Sequence, residues 1–224
     1  MPGRDEEKEQ RKRERRERER ADAAAAKRRR RLQIGMAVAI VLVVGVGGGV
    51  ALTGGDAGND RPGEGELKRA ASSARCTYRA FPNEGQEHAD RTFTADDYKT
   101  NPPTSGPHAP PGQQAADGLY GAGNEPGVGR WVHTLEHGRV ILMYNPAAPA
   151  ATVGALQRLF EEPVLGSGKS YHMLLMRNNT QMPFEAAAVA WRHYIGCRDT
   201  APAAIAAMRA FRDRWIDRAP EFVP

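Results

Sequence analysis

The chain is short of cysteine throughout and, over one stretch, wholly without charge. Two cysteines, Cys76 and Cys197, in 224 residues leave room for one disulfide at most. Residues 32–52 contain no Asp, Glu, Lys or Arg, which a surface segment of a soluble domain would not tolerate. Positive charge is also missing from most of the chain. Residues 1–31 hold 14 Lys/Arg against 8 Asp/Glu, whereas everything after residue 52 holds 18 against 19. The basic average therefore belongs to the tail. A nucleic-acid partner is excluded for the rest, because phosphate binding needs a concentrated positive surface. No G-x-S-x-G elbow surrounds any serine, which removes that route to nucleophilic catalysis.

The uncharged stretch, Leu32 to Leu52, is about 20 residues long and carries Ile34, Val38, Ile40, Val41, Leu42, Val43 and Val44. That length matches a hydrocarbon core of roughly 30 Å. Lys27 and Arg28 to Arg31 abut its start, and the first charge after it is Asp56. This asymmetry predicts a single-pass anchor with the N-terminus cytoplasmic and the C-terminal domain outside the cell membrane. A cleaved signal peptide fits less well, since the charged region is too long, the apolar run is full length and Gly47–Thr53 is a poor cleavage site. The expected organisation is a charged cytoplasmic tail (1–31), a transmembrane helix (32–52), a Gly-rich flexible linker (53–68) and an extracytoplasmic globular domain (69–224). The tail and span would face membrane lipid. In an oxidising compartment Cys76 and Cys197 are candidates for one bridge, with two free buried thiols as the alternative.

Within the domain, residues up to about 130 are rich in turn formers and show little periodicity beyond a strand near Cys76–Ala80. Arg139–Asn145, His172–Met176 and Ala186–Trp191 read as apolar strands, the last two paired across a turn at Asn178-Asn179. Thr152–Glu161 and Ala201–Ile216 have helical spacing. The predicted fold class is α+β: a small mixed sheet with helices packed on it, preceded by a long loop-rich region.

Four of the six histidines, His88, His108, His133 and His137, fall within 50 residues of one another. His133 and His137 are four apart, a spacing that puts both on one helical face, and Glu136 lies between them. Imidazole is the commonest metal ligand. The expected site is His108, His133 and His137, completed by His88 or Glu136 and holding zinc or copper. The bland alternative is histidines that only hydrogen-bond within a loop layer. The spelling H-x-x-E-H also matches a protease motif with a glutamate base, but that motif belongs inside a helix, and Gly138 with a strand follows at once. Thr104 and Ser105 near His108 lack a supporting elbow. Met143, Met173, Met176 and Met182 could suit a soft ion such as copper(I), although Met173 and Met176, in a strand-like apolar run, read as core.

Asn101-Pro102-Pro103-Thr104-Ser105-Gly106-Pro107-His108 and Val132-His133-Thr134-Leu135-Glu136-His137-Gly138, with a strand ending Tyr144-Asn145-Pro146, resemble the bacterial domain-of-unknown-function family 3105. The resemblance covers roughly residues 75–220. It implies a single-span envelope protein and treats His108, His133, Glu136 and His137 as one constellation, but supplies no reaction. One departure is Ala190-Trp191-Arg192, where relatives often read Ala-Trp-Gly. The leading expectation is an anchored metal-binding domain with no assigned catalytic residue. A non-catalytic envelope scaffold with an unidentified protein partner, and a metal-dependent hydrolase, are the alternatives.

Overall fold

The computed structural model describes residues 61–221. The tail and the span expected at 32–52 lie outside them, as does the first half, 53–60, of the expected linker. Among the described residues no helix is long and apolar enough to cross a membrane.

Four helices and six strands follow in the order α1 (Glu64–Ser73), β1 (Thr77–Ala80), β2 (Gly118–Leu119), α2 (Val128–Glu136), β3 (Val140–Tyr144), α3 (Ala150–Phe160), β4 (Met173–Arg177), β5 (Ala186–Ala190), β6 (His193–Cys197) and α4 (Pro202–Trp215). The strands form one mixed sheet in the order β1-β6-β5-β3-β4-β2. β3 and β4 run parallel, with Ile141 opposite Leu174. A parallel pair needs a crossover rather than a hairpin, and α3 supplies it. The expected α+β class with a small mixed sheet is what the chain adopts.

The central strands are buried on both faces, which explains why they read as unbroken apolar runs. Alternate residues serve two cores. Val140, Leu142, Met173, Leu175, Ala186 and Ala188 face one way, onto α1, α3 and α4. Ile141, Met143, Leu174, Met176, Ala187 and Val189 face the other way, onto Trp131, Val132 and Leu135 of α2 and onto Phe93 and Tyr98 from the loop region. Helix spacing makes this possible: α4 buries Ala204, Ala207, Met208 and Phe211, and α3 buries Thr152, Ala155, Leu156, Leu159 and Phe160, each set forming one stripe. All four methionines weighed as copper ligands lie in these cores.

Three expectations need correction. The linker does not run to residue 68: α1 starts at Glu64, and its Leu67 and Ala71, four apart, are buried against the first core. β5 pairs with β3 and β6, not with β4. The residues after β4 do not turn back tightly, because Asn178 Oδ1 accepts from the backbone N–H groups of Thr180 and Met182. That bracket shapes a longer loop leading past the end of β3, where Asn178 N–H donates to Tyr144 O and Asn145 N–H to Glu185 O. Finally, α2 and β6 were not anticipated, both being short and partly polar.

Cys76 and Cys197 are bonded, tying the entry of β1 to the end of β6. The bridge closes a separation of 121 residues, for which chain entropy alone gives roughly 4–5 kcal/mol.

If residues 64–73 belong to the folded unit, Leu67→Ala should cost about 2–5 kcal/mol in denaturant unfolding, while Glu66→Ala stays within about 0.5 kcal/mol. Equal, negligible effects would return this segment to the linker.

Candidate metal centre

Helix α2 carries half of the site. It starts after Gly127 and has His137 at its C-cap. Gly138 then takes φ 82°, with the position of a Cβ only 2.9 Å from the Asp217 Cα. A left-handed residue with no room for a side chain must be glycine, so the helix stops where the motif ends. His133 and Glu136, three apart on the last turn, present their side chains to one place. The objection that H-x-x-E-H lies outside a helix therefore fails, since His133 and Glu136 are inside α2.

The other half comes from two loop segments laid side by side. His108 N–H donates to Glu87 O at 3.0 Å, and Ala89 N–H donates to His108 O at 2.9 Å. Gly106 at φ 128° lets the chain pass Tyr98, whose ring lies 2.9 Å from where a Cβ would stand. The Tyr98 hydroxyl donates to Pro107 O at 2.8 Å. Ser105 Oγ accepts from Glu84 N–H at 3.1 Å, so this buried serine is a loop brace.

His88, His108, His133 and Glu136 converge, with one ligand atom from each lying within 4.8 Å of all the others. The ring centroids of His88, His108 and His133 are 4.7–5.0 Å apart. His108, His133 and Glu136 are almost wholly buried, and solvent reaches the group over His88, whose side chain is 33 % exposed.

Two backbone carbonyls decide the tautomers. His108 Nδ1 lies 2.8 Å from Gly106 O, and His133 Nδ1 lies 2.7 Å from Ala109 O. A carbonyl only accepts, so each Nδ1 carries a proton and each ring turns its Nε2 inward. This is the outer-shell device that orients metal-bound imidazoles. Glu136 is oriented similarly, its Oε1 accepting from Gln86 Nε2 at 2.7 Å. Its Oε2 stands 3.0 Å from His108 Nε2 and 3.9 Å from His88 Nε2. Among the described residues no hydrogen-bond donor serves His108 Nε2 or Glu136 Oε2. Two buried acceptors thus face each other, an arrangement that asks for a cation or a proton between them.

Sequence spacing made His137 central, but it stands beside the four. Its Nε2 is 3.2 Å from His133 Nε2 and 3.4 Å from Glu221 Oε2. The remaining histidines serve elsewhere: His172 pairs with Asp217 at 2.6 Å, and His193 stacks on Trp215 at 3.6 Å. Asp213 bonds Arg212 at 2.8 Å, so neither Asp213 nor Asp217 is a further ligand. Gln86, Glu221 and the two carbonyls escaped sequence reasoning. Gln86, two residues before His88, was the one with a positional hint.

Burial holds His133 at about 4, well below its ordinary 6.5; the Ala109 carbonyl opposes this, and the neighbouring imidazoles add to it. His137 is also held down by burial, with Glu221 pulling the other way. His133 is therefore neutral, and ligand-competent, at physiological pH. The folded protein binds fewer protons at His133 than the unfolded chain does. The stability this contributes is present above pH 6.5 and is lost as pH falls towards about 4. In an NMR titration of the metal-free protein, the His133 ring should titrate near 4; an ordinary value near 6.5 contradicts the geometry.

No curated protein and no solved structure matches the chain. The family model described as "Protein of unknown function (DUF3105)" matches residues 90–221, well over half of the 224. The match spans α2 with its histidines and glutamate, the His108 loop and most of the sheet, and the chain belongs to this family.

Proposed function

We propose that the chain is a membrane-anchored, extracytoplasmic domain that binds one divalent transition-metal ion, zinc or copper, through His88, His108, His133 and Glu136. The observation that carries this reading is the pair of buried acceptors at 3.0 Å, His108 Nε2 and Glu136 Oε2, with two further imidazoles beside them. Ligands at about 2.0–2.1 Å from a tetrahedral ion stand roughly 3.4 Å apart, and the 3.0 and 3.9 Å separations bracket that value. The widest spacing, 4.8 Å, exceeds what a shared ion of that size allows. Reaching the tetrahedral spacing would therefore draw the widest pair together by about 1.4 Å, most readily by movement of the exposed His88.

Three nitrogens and one oxygen suit zinc(II) or copper(II). Burial of Met143, Met173, Met176 and Met182 in the cores leaves copper(I) without thioether donors. The bound ion would neutralise the Glu136 carboxylate and hold α2 to the two loop segments. A hydrolase would need Glu136 as a free base with a water in reach. Oε2 already lies against His108, which leaves no room for a water between the two. The anchor rests on the uncharged residues 32–52 behind Lys27–Arg31, and the disulfide suits an oxidising exterior.

Full-length protein purified in detergent should contain about one zinc or copper per chain by elemental analysis. His108→Ala combined with His133→Ala should reduce this to background. A wild-type protein that stays metal-free after reconstitution rules the reading out. Gln86→Leu should keep the ion but weaken its affinity about 10- to 100-fold in a chelator competition. Unaltered affinity there would mean that Glu136 needs no orienting partner.

A further inference from the structure

A cleft of about 440 Å³ is lined by Asn83, Trp191, Arg192, His193, Trp215 and Arg218. None of these is one of the four residues of the metal centre, and no acidic residue lines the cleft. Two carboxylates close by are committed elsewhere. Asp217 pairs with His172 at 2.6 Å, and Glu64, whose charge acts on His193, pairs with Lys68 at 2.9 Å. The arginine ion pairs among the described residues belong to Arg91, Arg139, Arg177, Arg209 and Arg212, so Arg192 and Arg218 have no carboxylate within 4 Å there. The cleft thus holds two uncompensated guanidinium groups beside two indole rings.

Arg192 sits in the two-residue turn between β5 and β6 at φ 63°. Glycine takes this conformation freely, whereas a residue with a Cβ is strained in it. The chain nevertheless places its longest cationic side chain here and pins it, Arg192 Nε donating to Phe81 O at 2.9 Å. Its terminal nitrogens make no hydrogen bond to a described residue. The aromatic walls are equally fixed. Trp215 stacks on His193 at 3.6 Å, and Trp191, 4 % exposed, stands edge-on to His108 at 6.1 Å. Guanidinium groups recognise carboxylates and phosphates through paired N–H donors. With His193 stacked on Trp215 and the Arg214 guanidinium 5.2 Å from that ring's centroid, the indoles offer edges, against which a flat ring also packs.

We propose that this cleft binds a small organic anion, a flat ring bearing a carboxylate or phosphate, with the anionic group on Arg192 and Arg218 and the ring against Trp191 and Trp215. The test is calorimetric and tryptophan-fluorescence titration of the full chain in detergent with benzoate and phenyl phosphate. Inorganic phosphate and benzyl alcohol serve as the ring-free and charge-free controls. Saturable binding of benzoate or phenyl phosphate is expected, at least 10-fold tighter than either control, and which of the two wins identifies the anionic group. Arg192→Gly relieves the turn, so its melting temperature should match or exceed the wild type while its affinity falls at least 10-fold. Arg218→Gln should weaken binding similarly without touching the turn. The proposal is overturned by no saturable binding of either aromatic anion, by a control that binds equally well, or by unaltered affinity in both variants.

Discussion

A carboxylate with 1 % of its surface exposed, set among imidazoles whose Nε2 atoms turn inward, is the constraint around which this domain is arranged. Burying an ionised group without a partner costs several kcal/mol after relaxation. Glu136 gains one neutral donor, Gln86, on Oε1, while Oε2 meets His108 Nε2 at 3.0 Å with no donor serving either. A shared divalent cation, as proposed, would serve all four side chains together. A proton on His108 would resolve the contact with Glu136 alone and would leave His88 beside the carboxylate unexplained.

The fold makes that convergence rigid. α2 is packed on the second core through Trp131, Val132 and Leu135, and its end is set by Gly138 against Asp217. The His88 and His108 loop segments brace each other by backbone hydrogen bonds, and carbonyls 106 and 109 each hold a ring Nδ1. The histidines thus stand on supports whose geometry does not depend on a metal, which is how sites with preset ligand directions are built. The disulfide secures one edge of the sheet, where β1 pairs with β6 and its Tyr78 packs against Phe211 of α4.

Much of this was legible in the residues. The runs at 140–144 and 173–176 have the unbroken apolar character of strands buried on both faces, and the stripe from Ala204 to Phe211 has the spacing of a one-sided helix. His133, Glu136 and His108 were recognisable because ligand chemistry leaves residue types that periodicity cannot explain. What stayed hidden depended on long-range partners. α1 offers one large apolar residue, Leu67, amid Gly, Glu and Lys, so its burial comes from the helix it meets, not from its own pattern. The placement of β5 beside β3 depends on how the Asn178 side chain brackets a loop, which composition does not encode. His137 has the right spacing but the wrong direction: as the C-cap it turns towards Glu221, a residue 84 positions away.

X-ray absorption at the metal edge of the purified full-length protein tests the central claim most directly. It should show a first shell of four nitrogen or oxygen scatterers at about 2.0–2.1 Å, with no sulfur and with the outer-shell pattern of three imidazoles. An edge with sulfur in the first shell, or with one imidazole or none, would contradict a centre made by His88, His108, His133 and Glu136.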